Sequence, residues 1–451
     1  MAMFRKILIA NRGEIALRII RACREMGIES VIAHSEVDRN SLPVRMADER
    51  ICIGPGASSK SYLNIPNIIS AALISGAEAI HPGYGFLSEN TSFAEICSDV
   101  NITFIGPSAY VMSIMGDKVV ARETMAQIGL PMLPGTPVLR TLADALEAAR
   151  EIDFPLMLKA AAGGGGRGIR LVKRPDEFER VFSLAQNEVR EAFRDDGLYL
   201  ERYLEHARHI EFQVLVDNYG HGVHLGERNC SCQRRNQKVL EESPSPLLPP
   251  ELREEIGMKV ISAVQQIEYC NAGTLEFLVD EQNHYYFMEM NTRLQVEHPV
   301  TEMVTGIDLV KEQIRIAAGM PLQVRQENIQ FHGHAIECRI TAEDADDDFR
   351  PQTGTVERYL PPGGPGVRVD SHLYAGYEVP PHYDSMLAKL IVWAESRDAA
   401  VARMQRALDE FVIEGLKTTI PFHQRLLKHE DFMRGKTHTR FLQEEAAALG
   451  I

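Results

Sequence analysis

The chain has 451 residues, 45% apolar and 25% charged, with 33 Gly and 23 Pro. This is the composition of a globular chain and excludes a fibre, a mucin or a disordered tail. At roughly 150 residues per domain the length calls for about three domains, each able to bury its own core. Lys plus Arg number 48 against 63 Asp plus Glu, a net charge of −15. That balance argues against a nucleic-acid or anionic-membrane binder, which needs an excess of phosphate-neutralising cations. Any anionic substrate would have to be held by cations gathered locally.

Residues 4–10 (FRKILIA) read as a buried strand, Asn11-Arg12-Gly13 as a turn, and Glu14 to Met26 as a helix with Ile15, Ile19, Cys23 and Met26 on one face. Gly27 follows where a helix C′ glycine belongs. A strand at Ser30 to His34, the run ICIG at Cys52, a helix over Tyr62 to Ser75 and a strand at Ile102 to Ile105 continue the alternation. This predicts an open parallel sheet of the dinucleotide-binding architecture, without a Gly-x-Gly-x-x-Gly in its first turn. The apolar run Ile7 to Ala10 is too short for a signal-peptide core, and no stretch reaches the roughly 20 apolar residues of a membrane span.

From about 120 to 320 hairpin strands mix with helices, an α+β pattern; EESPSPLLPP (241–250) is a loop leading into a helix with Pro250 in its first turn. From about 332 strands dominate (HAIECRIT, TGTVERYL, GVRVDSHL, LAKLIVWA), and a helix at Ala399 to Phe411 and a polar helical tail follow. The seven cysteines are odd in number and scattered, which fits reduced thiols; Cys230-Ser-Cys232 has no second ligand pair to complete a zinc site. The acidic run Glu343 to Asp348 starts like an EF-hand, but Phe349 replaces the required Gly and Thr355 the closing Glu, so it reads as a solvated loop.

Three constellations carry chemistry. The string Lys159-Ala-Ala-Ala-Gly163-Gly164-Gly165-Gly166-Arg167-Gly168 lies between two apolar runs. A strand follows it where the dinucleotide fingerprint needs a helix, and Ile169 stands where a Walker A loop needs Lys. A glycine hairpin with a Lys at its base suits folding over phosphates, and four consecutive glycines cost too much entropy for a plain turn. The second constellation follows from register. The runs Thr274 to Val279 and Tyr285 to Asn291 flank a four-residue loop, Glu281 to His284. Pairing Asp280 with Tyr285 sets Glu276 directly opposite Glu289, with Asn291 on the same face. Facing carboxylates repel unless a cation lies between them, and two carboxylates with an amide oxygen suit Mg²⁺ or Mn²⁺. The third is Asn291-Thr-Arg293-Leu-Gln295-Val296-Glu297, where Arg293 could hold a small anion and Glu297 deprotonate it. Further cations come from Gln233-Arg234-Arg235-Asn236-Gln237-Lys238, His209 and Arg339.

Together, ANRGEIALRIIRA (10–22), HPGYGFLSEN (81–90), MGDK (115–118), KAAAGGGGRG (159–168), RHIEFQVLVD (208–217), CQRRNQK (232–238), GTLEF (273–277) and EMNTRLQVEHPVTE (289–302) resemble the biotin carboxylases of the ATP-grasp superfamily. HAIECRI and YDSMLAKLI extend the likeness over nearly the whole chain. The resemblance implies ATP-dependent carboxylation of biotin N1 by bicarbonate through carboxyphosphate. It implies a Rossmann-like N-terminal unit over 1–117, an ATP-grasp unit over 118–330 with a mobile lid at about 132–204, and a mainly β C-terminal unit over 331–451. In the family's pattern Lys118 and Lys159 contact ATP phosphates, Gly163, Gly164, Gly165 and Gly166 close as a lid, and Glu201, Arg202, Tyr203 and Leu204 line the adenine pocket by backbone contacts. His209 and Gln233 stand beside the nucleotide, and Glu276, Glu289 and Asn291 bind two Mg²⁺ or Mn²⁺ ions. Lys238, Arg293, Gln295 and Val296 hold bicarbonate, Glu297 is its base, and Arg339 stabilises the biotin enolate.

Two positions depart from the pattern: Asn236 stands where the family usually has His, and Ala162 where the lid often has its first Gly. The family's Ala-Met-Lys-Met biotin site has only Gly257-Met-Lys-Val260 as its nearest string here. The resemblance therefore implies that biotin is a substrate on a separate biotin carboxyl carrier protein, not bound covalently to this chain. It also implies a carboxyltransferase partner, a homodimer and a cytoplasmic location, with no nucleic acid or membrane involved. Another ATP-grasp ligase, joining a carboxylate to an amine, and a non-catalytic nucleotide sensor are the alternatives; the Arg293 to Glu297 segment speaks against the first, and the presence of both the base and the metal ligands against the second.

Overall fold

The computed structural model describes residues 3–161, 169–193 and 196–451. It opens with strand β1 (Lys6–Ile9), helix α1 (Gly13–Glu25), β2 (Glu29–Ser35), β3 (Glu49–Gly54), α2 (Ile65–Ser75), β4 (Ala79–His81), α3 (Thr91–Asp99) and β5 (Thr103–Phe104). The strands pair in parallel in the order β3-β2-β1-β4-β5, as the βαβ alternation predicts. Gly27, at φ 70°, takes the left-handed turn that closes α1. Strand order reverses between β1 and β4, so the ligand crevice of an open parallel sheet lies beyond their carboxyl ends. There Asn11 donates to the carbonyls of Pro82 and Tyr84, at 2.7 and 2.8 Å, and shapes the loop after β4.

Helices α4 (Ala109–Gly116) and α5 (Lys118–Ile128) follow, α5 capped by Asp117, whose carboxylate accepts from the N–H groups of Val119 and Val120. Next come α6 (Leu142–Ile152), β6 (Leu156–Ala160), β7 (Arg170–Val172), α7 (Phe178–Phe193) and β8 (Leu198–Arg202). The strands form a small antiparallel sheet, β7-β6-β8, around a core containing Ala145, Phe178, Phe182 and Leu198. The glycines 163–166 and 168 lie outside the described residues.

The rest of the chain supplies β9 (Arg208–Val216), β10 (Gly222–Arg234), β11 (Gln237–Ser243), α8 (Pro250–Gln266), β12 (Asn271–Val279), β13 (Tyr285–Asn291), α9 (His298–Thr305), α10 (Leu309–Ala317), β14 (His334–Thr341), β15 (Val367–Ser371), β16 (Met386–Ala394) and α11 (Arg397–Glu410). Eight strands form one antiparallel sheet, β13-β12-β9-β10-β11-β14-β16-β15. The C-terminal strands therefore extend the central sheet. One face of β9 and β12 is apolar: Ile210, Phe212, Val214, Leu275 and Phe277 pack with Ile256 and Val260 of α8. The other face carries His209, Glu211, Gln213, Thr274 and Glu276, all buried. That alternation places charged side chains inside the molecule, where they need partners.

Candidate active site

Register assembles the site. Glu289 on β13 pairs with Glu276 on β12, Glu276 with Glu211 on β9, and Glu211 with Arg228 on β10. Three carboxylates and a guanidinium thus stand in one row across four strands. The Glu276 to Glu289 pairing agrees with the sequence reading, but by a different route. The hairpin pairs Val279 with Tyr285 and closes through the Asp280 N–H to the His284 carbonyl, one residue tighter than expected. A bulge at Met288 then restores the register at Glu276.

Cations converge on this row. Lys238 donates to Glu211 at 2.6 Å, Glu297 at 2.7 Å and Glu276 at 3.0 Å. Arg228, fully buried, bonds Glu211, Gln213, Thr301 and Thr274. Arg339 donates to Glu241 at 2.6 Å and to Glu297 at 3.0 Å. Burial alone would push the Glu297 carboxyl up, but Lys238, Arg339 and Arg228 hold it well below the usual carboxylate range. Glu276 accepts from Asn291 and Gln295, each at 2.9 Å, and lies 2.9 Å from the His209 ring. Against its burial, Lys238 and His209 bring its carboxyl down. Glu289 is the exception: burial and the charge of Glu276 push it up, while Lys118, Lys159 and His209 pull the other way. It has no hydrogen-bond donor among the described residues. A facing pair with one such carboxylate, and with His209, Glu211 and Glu276 ligating atoms within 4.8 Å of one another, suits a divalent cation.

The Asn291 amide is oriented differently from the expected oxygen triad. Its nitrogen donates to Glu276, and its oxygen accepts from Arg293 at 2.8 Å. Arg293 is also held by Glu89 at 2.8 Å and by the side-chain oxygen of Gln295 at 3.0 Å.

Of these, His209, Lys238, Glu276, Glu289, Asn291, Arg293, Gln295 and Arg339 line a cavity of about 660 Å³. Tyr84 and Gly85 enter it from the parallel-sheet crevice, Lys118 from the start of α5, Lys159 from β6, and Arg202, Tyr203 and Leu204 from the end of β8. Glu201 contributes through its side chain, not its backbone alone: its carboxylate is buried and ion-paired with Lys159 and Arg122. Gln233 Nε2 meets His209 Nδ1 at 2.6 Å, which orients that ring. Asn236 has a local explanation. With Arg235 it forms the two-residue β10–β11 turn, both at positive φ, 50° and 64°, a type I′ geometry that Asn tolerates.

The sequence reading missed Glu211, Arg228, Glu241, Glu89 and Arg122. Only the first carried a signal: in RHIEFQVLV the polar residues alternate with apolar ones on a strand buried on both faces. The acidic run is no cation site; Asp344, Asp346 and Asp348 are paired with Lys417, Arg425 and Arg234 with Arg235. Among the described residues no helix is long and apolar enough to cross a membrane.

Three family models match in succession: the N-terminal domain of biotin carboxylase over residues 3–112, the ATP-binding domain of the carbamoyl-phosphate synthase L chain over 117–325, and the C-terminal domain of biotin carboxylase over 337–444. The biotin carboxylase of Nostoc sp. is 60% identical over 442 residues, covering 98% of this chain and 99% of that protein. Biotin carboxylase 1 of Bacillus subtilis is 57% identical over 443 residues, covering 98% of each. Among solved structures, the biotin carboxylase domain dimer of the 2-oxoglutarate carboxylase of Hydrogenobacter thermophilus, in complex with MgADP, ADP and bicarbonate, superposes with a TM-score of 0.96. It is 52% identical and covers 100% of this chain and 99% of that one.

Proposed function

The chain belongs to the biotin carboxylase family, and we propose that the cavity joins bicarbonate, ATP and biotin in the roles that follow. The observation that carries this reading is the convergence of Lys238 and Arg339 on Glu297, beside the facing pair Glu276 and Glu289.

Bicarbonate binds among Lys238, Arg293, Gln295 and the backbone at Val296, and its proton passes to a Glu297 oxygen. Lys238 and Arg339 now hold Glu297 ionised but weakly basic; an anion that draws them away restores the basicity the step needs. The deprotonated anion attacks the γ-phosphate of ATP, forming carboxyphosphate and releasing ADP. Lys118 and Lys159 neutralise the phosphates, and Glu201 holds Lys159 until they arrive. Glu276 and Glu289, with Asn291, would hold Mg²⁺ or Mn²⁺, which supplies charge neutralisation for the nucleotide phosphates. The adenine lies against Arg202 to Leu204, with His209 and Gln233 beside the nucleotide. The phosphate leaving carboxyphosphate takes the biotin N1 proton, Arg339 stabilises the resulting enolate, and N1 bonds to the carboxyl carbon as the bond from that carbon to the phosphate oxygen breaks. The protein contributes positioning, charge and exclusion of water.

On this reading the three units fall at 1–117, 118–330, with a lid at about 132–204, and 331–451. Biotin arrives on a carrier protein, a carboxyltransferase takes the product, and the chain works as a homodimer in the cytoplasm; the dimeric Hydrogenobacter domain supports the pairing. The acyl acceptor belongs to the carboxyltransferase partner. The test is ATP cleavage by the purified protein with Mg²⁺ and bicarbonate: free biotin should stimulate phosphate release, and no stimulation would refute the biotin assignment.

A further inference from the structure

The segment from Arg293 to Glu297 carries the anion-binding groups, yet little regular structure holds it. Helix α9 begins at His298, and its N-cap, Glu297, makes no side-chain cap hydrogen bond. The first contacts of that turn are long, 3.4 Å from the His298 N–H to the Gln295 carbonyl and 3.3 Å from the Val300 N–H to the Glu297 carbonyl. The His298 ring nitrogen Nδ1 lies 2.8 Å from the Gln295 carbonyl, and a second short bond reaches the segment from another element: the ammonium of Lys389 on β16 donates to the Val296 carbonyl at 2.9 Å.

Lys389 is fully buried. Its ammonium lies 3.3 Å from the carboxylate of Glu14, in the first turn of α1, and 5.8 Å from the centre of the Tyr84 ring. By register it stands between Arg339 on β14 and Asp370 on β15. Burial pushes Glu14 up to about 7, with Lys389 acting against it. The charge of Lys389, buried beside Arg339, is offset by the carboxylates of Glu14, Glu337 and Asp370. Because a peptide is planar and trans, a cation fixed on the Val296 carbonyl also fixes the direction of the Glu297 N–H and the plane from which the Glu297 side chain departs.

We infer that Lys389 is a positioning residue for the carboxylation reaction. It clamps the Val296–Glu297 peptide and, through Glu14, ties the anion-binding segment to the parallel-sheet unit bearing Tyr84. This inference rests on the function proposed above.

The test is steady-state kinetics of Lys389→Met, Lys389→Arg and Glu14→Gln, varying bicarbonate and ATP separately. Loss of a charge-assisted hydrogen bond should raise the bicarbonate KM of Lys389→Met by about 10- to 100-fold, with the ATP KM within about twofold. Lys389→Arg should recover part of this, and Glu14→Gln should show the same selective change at smaller size and serves if Lys389→Met does not fold. A purely structural lysine would lower the active fraction and leave both KM values alone. That result, or bicarbonate and ATP KM values rising together, would overturn the inference. An inactive wild type would instead overturn the functional reading.

Discussion

Replacing Glu289 by Gln should have opposite effects on the protein alone and on its nucleotide complex. Register partners on one sheet face have Cβ atoms about 5 Å apart, and two unit charges at about that distance repel by roughly 3 kcal/mol in an effective dielectric of about 20. Lys118, Lys159 and His209 offset part of this for Glu289, so removing its charge should stabilise the protein by about 1–2 kcal/mol. At about 2–4 °C per kcal/mol the melting temperature should rise by roughly 2–8 °C in a scanning experiment without nucleotide or metal. The sign with pH follows from the raised affinity of Glu289 for its proton: the folded state binds that proton more tightly than the unfolded chain, so the ionised group costs stability as pH rises above its ordinary 4.5. The gain should be full only above the raised folded value of Glu289, shrink as pH falls from there, and be absent below 4.5. With saturating MgADP the order should reverse, because a ligand at free concentration c stabilises the fold by RT ln(1 + c/Kd) and the variant, having lost a metal carboxylate, has the larger Kd. A variant that melts at or below the wild type without ligands, or that gains as much from MgADP, would refute the facing-carboxylate argument.

Three further expectations concern the same machinery. Glu297→Gln should lower biotin-dependent phosphate release by at least about 10²-fold, the contribution of a general base, while ATP still binds by calorimetry; near-normal turnover would remove Glu297 from the base role. Arg228→Met strips four hydrogen-bond partners of their donor and leaves Glu211 charged and buried, so chemical denaturation should show a loss of about 3–5 kcal/mol; a loss under about 1 kcal/mol would show that Lys238 alone suffices for Glu211. At Glu242, burial pushes up, but Arg397 and His334 outweigh it and bring the carboxyl from 4.5 to about 2. It should thus contribute up to about 3 kcal/mol above pH 4.5, lost as pH falls from there towards 2. Glu242→Gln should be less stable at pH 7 and lose less on acidification than the wild type; parallel pH curves would contradict the assignment.

The local code of the chain was legible. Period-two and helical patterns placed β1, α1, β2, β12 and β13 within a few residues, because alternation and capping residues act over short sequence distances. The Glu276 and Glu289 pairing was also legible, although the tighter hairpin and the compensating bulge at Met288 were not: a one-residue loop difference and a bulge cancel at that position and leave no trace in composition. The motif strings carried the family and, with it, most of the residues named for the site.

What only the tertiary structure decided is which elements are neighbours. The Glu289, Glu276, Glu211 and Arg228 row needs four strands in non-sequential order. Glu89 reaches Arg293 across 204 residues of chain, and Lys389 reaches Val296 across 93. The fusion of the C-terminal strands to the central sheet brings Arg339 and Lys389 to the site. A sequence states which side chains lie on a buried face; whether a charge there is tolerated depends on the partners that other strands bring, and that is settled only when the sheet closes.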